Sequence, residues 1–124
     1  MGWVYESNNE KKWDGEFEGE VKDGRPDGVG RWSAEGGKWK VEGLWKEGKV
    51  HGKATTFYSS GRVEEYEKKD GKLDGNLLVY HGRGHEESEY RDGKLDGRQR
   101  KYNGFGEVVL DSVFEEGKMM RRIK

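Results

Sequence analysis

His81-Gly82-Arg83-Gly84-His85-Glu86-Glu87 crowds two imidazoles and two carboxylates into seven residues, a set that could hold a divalent cation. The spacing argues otherwise. The histidines flank a glycine turn, no third ligand is fixed beside them, and His51 stands in a different repeated turn. The expected reading is a solvated turn without metal. Carboxylate pairs recur at Glu16/Glu18, Glu64/Glu65, Glu86/Glu87 and Glu115/Glu116. Glycosidase-like chemistry needs two carboxyls across a cleft, one of them raised in pKa by an apolar pocket. With 40% charged and 30% apolar residues, a solvated charged face is the plainer account.

Other reactive constellations fail on their context. Ser59, Ser60 and Ser112 carry no signature of an activated nucleophile. Gly82-Arg83-Gly84 and Gly28-Val29-Gly30 lack the lysine, hydroxyl and helix start of a phosphate cradle. Cysteine is absent, which removes thiolate catalysis, disulfides and sulfur metal sites. The expectation is a non-enzymatic protein with no cofactor.

The elements that position these residues are short and repeated. Asp70-Gly71-Lys72-Leu73-Asp74-Gly75 returns as Asp92-Gly93-Lys94-Leu95-Asp96-Gly97. Variants stand at Asp23–Gly28 and Glu47–Gly52, and Glu116-Gly117-Lys118 is a truncated last copy. The first glycines fall at Gly24, Gly48, Gly71, Gly93 and Gly117, a period of 22 to 24 residues. Such periods mark architectures whose units bury their faces only by stacking on neighbours. A second glycine site at mid-period leaves segments of strand length, too short for typical helices.

Alternation supports strands. Trp13, Gly15, Phe17, Gly19 and Val21 share one parity, against Asp14, Glu16, Glu18 and Glu20 on the other. Trp39, Val41, Gly43 and Trp45 repeat the ring-and-glycine face. Glycines between rings leave room for an aromatic from an adjoining strand. Gly30/Trp32 and Ala54/Thr56/Tyr58 share parities on the returning strands. Lys68 breaks the column held by Val21, Trp45, Tyr90 and Phe114, which predicts a local irregularity there. Five Trp, six Tyr and four Phe supply the burial for a thin structure, since each ring buries about 150–250 Å².

The run Trp13-Asp14-Gly15-Glu16-Phe17 through Asp23-Gly24-Arg25-Pro26-Asp27-Gly28-Val29-Gly30-Arg31-Trp32 resembles a MORN repeat (membrane occupation and recognition nexus). So does Glu42-Gly43-Leu44-Trp45 with Gly48-Lys49-Val50-His51-Gly52-Lys53-Ala54, apart from Ala54 in place of the final glycine. The third and fourth repeats, without Gly-x-Gly, are similar to the divergent variant found in bacterial and large-virus proteins, including one bacterial antitoxin family. The resemblance spans about residues 13 to 120. It implies an all-β fold, an elongated single-layer twisted antiparallel sheet of tandem β-hairpins with about ten strands. Residues 1–12 are read as an N-terminal segment with room for a partial strand, and 13–124 as one repeat domain with turns near 23–28, 47–52, 70–75, 92–97 and 116–118.

The expected function is a protein-interaction module or scaffold. Candidate partner-binding rings are Trp13, Phe17, Trp39, Trp45, Tyr66, Tyr90 and Phe114, because Trp and Tyr anchor interfaces. An antitoxin-like or effector-neutralising outcome is the alternative. A second is weak anionic-lipid contact through Lys118, Arg121, Arg122 and Lys124, beside Met119, Met120 and Ile123. Asp92, Asp96, Asp111, Glu115 and Glu116 interrupt the basic cluster that runs from Arg91 to Lys124, and the N-terminal strand face is acidic, so nucleic acid is not the expected partner. Val108–Phe114 is apolar on both parities, which together with a free sheet edge predicts self-association. No basic head precedes an apolar run, and nowhere do about 18 apolar residues stand together. The expected location is the cytoplasm.

Overall fold

Five two-residue turns set the architecture. In each, an acidic residue and the following glycine both take positive φ: Asp23/Gly24 at 52° and 76°, Glu47/Gly48 at 50° and 84°, Asp70/Gly71 at 52° and 79°, Asp92/Gly93 at 53° and 83°, Glu116/Gly117 at 48° and 85°. Two successive left-handed residues make the type I′ turn, whose twist matches that of paired strands. Glycine enters this region freely and aspartate tolerates it.

The computed structural model describes residues 15–124. Its elements are β1 (Gly15–Lys22), β2 (Arg25–Ala34), a short 3-10 turn (Glu35–Gly37), β3 (Trp39–Lys46), β4 (Lys49–Tyr58) and β5 (Val63–Lys69). They continue as β6 (Lys72–Leu73), β7 (Gly75–His81), β8 (Gly84–Arg91), β9 (Lys94–Tyr102), β10 (Val108–Glu115) and β11 (Lys118–Arg122). All pair antiparallel in one open sheet of eleven strands that follows hairpin order, with β6 pairing β5 beside the main path. The all-β hairpin architecture is thus the one the repeat pattern predicts. Among the described residues no helix is long and apolar enough to cross a membrane.

Each of the first four returning strands widens just after its turn. Gly19 pairs with Gly30 but Val21 with Pro26, so Glu20 alone faces Asp27, Gly28 and Val29. Leu44 likewise faces His51-Gly52-Lys53, and Glu89 faces Asp96-Gly97-Arg98. The second glycine of the motif serves this bulge: Gly28, Gly52, Gly75 and Gly97 have φ of 102°, 104°, 114° and 118°. The facing glutamate closes the gap, Glu20 Oε1 accepting from the Val29 amide at 2.7 Å and Glu89 Oε1 from the Arg98 amide at 2.9 Å.

In the third repeat the widening splits the strand. β6 stays with β5, and β7 resumes after Asp74, whose amide donates to the Glu67 carbonyl at 2.9 Å. This is the irregularity expected around Lys68, and it supplies the eleventh strand.

The turns also tie one repeat to the next. The amides of Gly48, Gly93 and Gly117 donate to the carbonyls of Pro26, Leu73 and Leu95, each at 2.8 Å. Asp74 Oδ1 accepts from the Asp92 amide at 3.1 Å. A motif that begins as a hairpin turn therefore ends as a ladder along one side of the sheet.

Most of the larger buried side chains share one row. Phe17, Trp32, Val41 and Thr56 pair in sequence across β1 to β4 and are all buried, with Val79 further along the same row. Following the register, the next row toward the turns runs Gly19, Gly30, Gly43, Ala54. The absence of a side chain at Gly19 and Gly30 makes room for the Cζ end of the Phe17 ring.

Candidate functional site

The glycine column is the seat of the aromatic face. A Cβ at Gly30 would collide with the Cζ end of the Phe17 ring, and one at Gly15 would lie 2.7 Å from the Trp32 indole. Phe17 is 1% exposed. The Trp45 ring meets it edge-on at 5.2 Å and 80°, and Trp45 Nε1 donates to the Gly30 carbonyl at 3.0 Å. Trp32 and Trp39 pack at 4.4 Å. Tyr66 pairs with Ala54 at the far side of the column, its hydroxyl 2.8 Å from Thr56 Oγ1.

These rings bound an open groove of about 920 Å³, lined by Trp32, Trp39, Trp45, Tyr58 and Tyr66. Val41, Val50, Leu73 and Val79 add apolar surface. The groove's carboxylate is already engaged: Glu64 accepts from Arg62 Nε at 2.9 Å and from the Tyr58 hydroxyl at 3.2 Å. Lys49 and Lys68 line the same groove, with Lys68 Nζ 5.9 Å from the Tyr66 ring centroid. Burial raises the Tyr66 phenol above its ordinary pKa; the Thr56 hydrogen bond opposes this and the Glu64 charge adds to it. Tyr58 is raised by burial and by Glu64. Both phenols are therefore neutral donors and acceptors at physiological pH. The arrangement offers apolar and aromatic contact, two hydroxyls and a cationic margin.

Alternation separates the residues that looked reactive. Glu64 pairs with Thr56 on the groove face and Glu65 with Thr55 on the other. The histidine cluster divides in the same way. His81 lies 2.9 Å from Glu86 on the groove face, while His85 lies 3.5 Å from Glu87 on the opposite one. Among the described residues no group of three His, Asp or Glu is placed to hold a metal.

Of the rings expected to bind a partner, Trp39, Trp45 and Tyr66 come together at the groove. Phe17 lies beneath it as part of the seat, and Tyr90 and Phe114 sit half-buried further along the same face. Trp13 lies outside the described residues. Trp32 and Tyr58 join the site from the returning strands, where the Gly30/Trp32 and Thr56/Tyr58 parity was the available signal. The opposite face carries a second row that alternation did not reveal. Tyr80, His85 and Tyr102 pair across β7 to β9, with His85 stacked on Tyr102 at 4.3 Å and 8°. The lipid-contact candidates Lys118, Arg121 and Arg122 lie exposed on the edge strand β11, followed by exposed Lys124.

On that opposite face Arg98 grips Asp111 through Nε at 2.9 Å and Nη2 at 2.6 Å. The Asp111 backbone also meets the chain's last residues, its carbonyl accepting from Ile123 at 2.7 Å and Lys124 at 3.0 Å. The Arg98 hydrogen bonds hold the Asp111 carboxyl below its ordinary range against the opposing effect of desolvation. A carboxyl depressed in the folded state stabilises fully above its unfolded pKa of about 3.9. That contribution disappears as pH falls through the lower folded value. Asp111→Asn is therefore expected to lower the unfolding midpoint at neutral pH and to flatten its decline below about pH 4, as read from thermal melts across pH.

No protein-family model matches the chain, and no curated protein matches it.

Proposed function

We propose that the chain is a non-catalytic interaction module of the MORN-like repeat kind, whose ring-lined groove receives a segment of another protein in the cytoplasm. The observation that carries this reading is the groove itself: Trp32, Trp39, Trp45, Tyr58 and Tyr66 gathered on one face of a single open sheet. Trp and Tyr are the side chains most often found as binding anchors, because they bury much area at little entropic cost and keep a polar handle. A groove of this kind suits a helix laid by its apolar face or an extended segment. Lys49 and Lys68 at the margin favour a segment with a carboxylate near the turn side.

Capture from the source cell by the immobilised chain tests the reading, run beside the Trp39→Ala/Trp45→Ala variant. A partner held by the parent and lost by the folded variant supports it. Equal capture by both removes the groove as the binding surface.

A further inference from the structure

We propose that Asn103 is a self-modifying site: the loop joining β9 to β10 converts this asparagine to aspartate or isoaspartate with its own groups and water alone. This is independent of the groove. Asn103 is followed by Gly104, and a backbone nitrogen with no Cβ beside it approaches the preceding side-chain amide with the least obstruction.

The loop holds Asn103 by both backbone groups. Its amide donates to the Glu107 carbonyl at 3.0 Å, and its carbonyl accepts from the Gly106 amide at 3.1 Å. Gly106 folds the chain back with a φ of 81°. Gly104 packs closely on its other side, since a Cβ there would lie 2.7 Å from the Arg83 Cβ in the turn between β7 and β8. Residues 104–107 are exposed, so water reaches the loop.

Each atom of the side-chain amide meets a group that the reaction needs. Oδ1 accepts from the Phe105 amide at 2.9 Å and from the Glu107 amide at 3.1 Å. Nδ2 donates to Glu107 Oε1 at 2.9 Å. When the Gly104 nitrogen bonds to the Asn103 Cγ, negative charge gathers on Oδ1, where two N–H donors already point in the manner of an oxyanion hole. The Glu107 carboxylate takes the proton that the attacking nitrogen gives up and delivers it to Nδ2. The Cγ–Nδ2 bond then breaks, ammonia leaves, and a succinimide closes between Asn103 and Gly104. Water opens that ring at either carbonyl, giving aspartate or isoaspartate. In sum, amide and water become acid and ammonia, with no oxidant or reductant.

The product alters the loop that made it. An aspartate there sets two carboxylates together where an amide had donated to one. An isoaspartate lengthens the backbone by a methylene beside the Tyr102–Val108 pair, and Tyr102 carries the stack with His85. The change is slow, one-way and confined to one hairpin.

The experiment incubates the full chain at neutral pH, folded in buffer and unfolded in guanidinium chloride. Peptide mass spectrometry follows each asparagine, and enzymatic methylation detects isoaspartate. Asn103 is expected to convert faster in the folded chain than in the unfolded one, while Asn76, within β7 and followed by Leu77, stays unconverted in the folded chain. Conversion of Asn103 that is equal or slower in the folded chain would make the loop a lock on the amide and overturn the proposal. Glu107→Gln keeps an acceptor for Nδ2 but cannot carry the proton. It is expected to slow the folded reaction by about 100-fold, as general acid–base catalysis typically contributes at least that much. The parent's rate in the folded variant would also overturn the proposal. If Glu107→Gln does not fold, the comparison of folded and unfolded parent decides alone.

Discussion

Truncating Phe17 to alanine is expected to destabilise the protein by about 3–5 kcal/mol, the range for deleting a fully buried phenyl ring. In most domains a second layer or a thick core shares such a loss. Among the described residues the buried apolar side chains are few, Phe17, Pro26, Trp32, Val41, Ala54 and Val79, and Phe17 is the one against which Trp45 leans. Removing it empties the seat over Gly30 and forfeits the edge-on ring contact, which adds about 0.5–1.5 kcal/mol beyond burial in typical pairs. Domains of this size have about 5–15 kcal/mol in total, so a large part of the margin is at stake. Urea unfolding of parent and variant measures it. A midpoint that moves by less than the equivalent of about 1 kcal/mol would mean that the ring is not the keystone of the N-terminal half.

The second large effect concerns binding. Trp39→Ala and Trp45→Ala each remove an anchor whose loss typically costs about 2 kcal/mol or more, or some 30-fold in affinity. Together they are expected to weaken partner binding by about 1,000-fold if the two losses add. Trp45 also supports the fold, since its indole donates to the Gly30 carbonyl and its ring packs on Phe17. The single Trp39→Ala variant and Tyr66→Phe, which removes only the hydroxyl bonded to Thr56, separate the two roles. Trp39→Ala is expected to lose most of its affinity at a small stability cost. A folded double variant within about 10-fold of the parent's affinity would remove these rings from the interface.

Much of this was legible in the sequence, and the reason is periodicity. A glycine pair every 22 to 24 residues sets both turn and bulge, and period-two alternation assigns each ring to a face. Gly30 beside Phe17 shows why the glycines recur: they make a floor for aromatic rings, a role that pattern alone suggests without saying which ring fills which gap. What stayed hidden depends on cross-strand register. The bulges change register by two residues between Val21 and Gly19, and pairings of this kind decide that Trp32 and Tyr58 face Trp39 and Tyr66. His85 and Tyr102 are seventeen residues apart in sequence and become stacked neighbours only through the β8–β9 pairing. The Arg98–Asp111 grip was obscured for the same reason, because it joins two strands whose offset no local motif announces.

The central claim is that the groove face meets the partner and the opposite face does not. Photo-cross-linking with benzoylphenylalanine placed singly at Leu73, which lines the groove, and at Tyr80, exposed on the other side, tests it most directly. The adduct with the captured partner is expected from Leu73 and not from Tyr80; an adduct from Tyr80 with none from Leu73 would contradict the account.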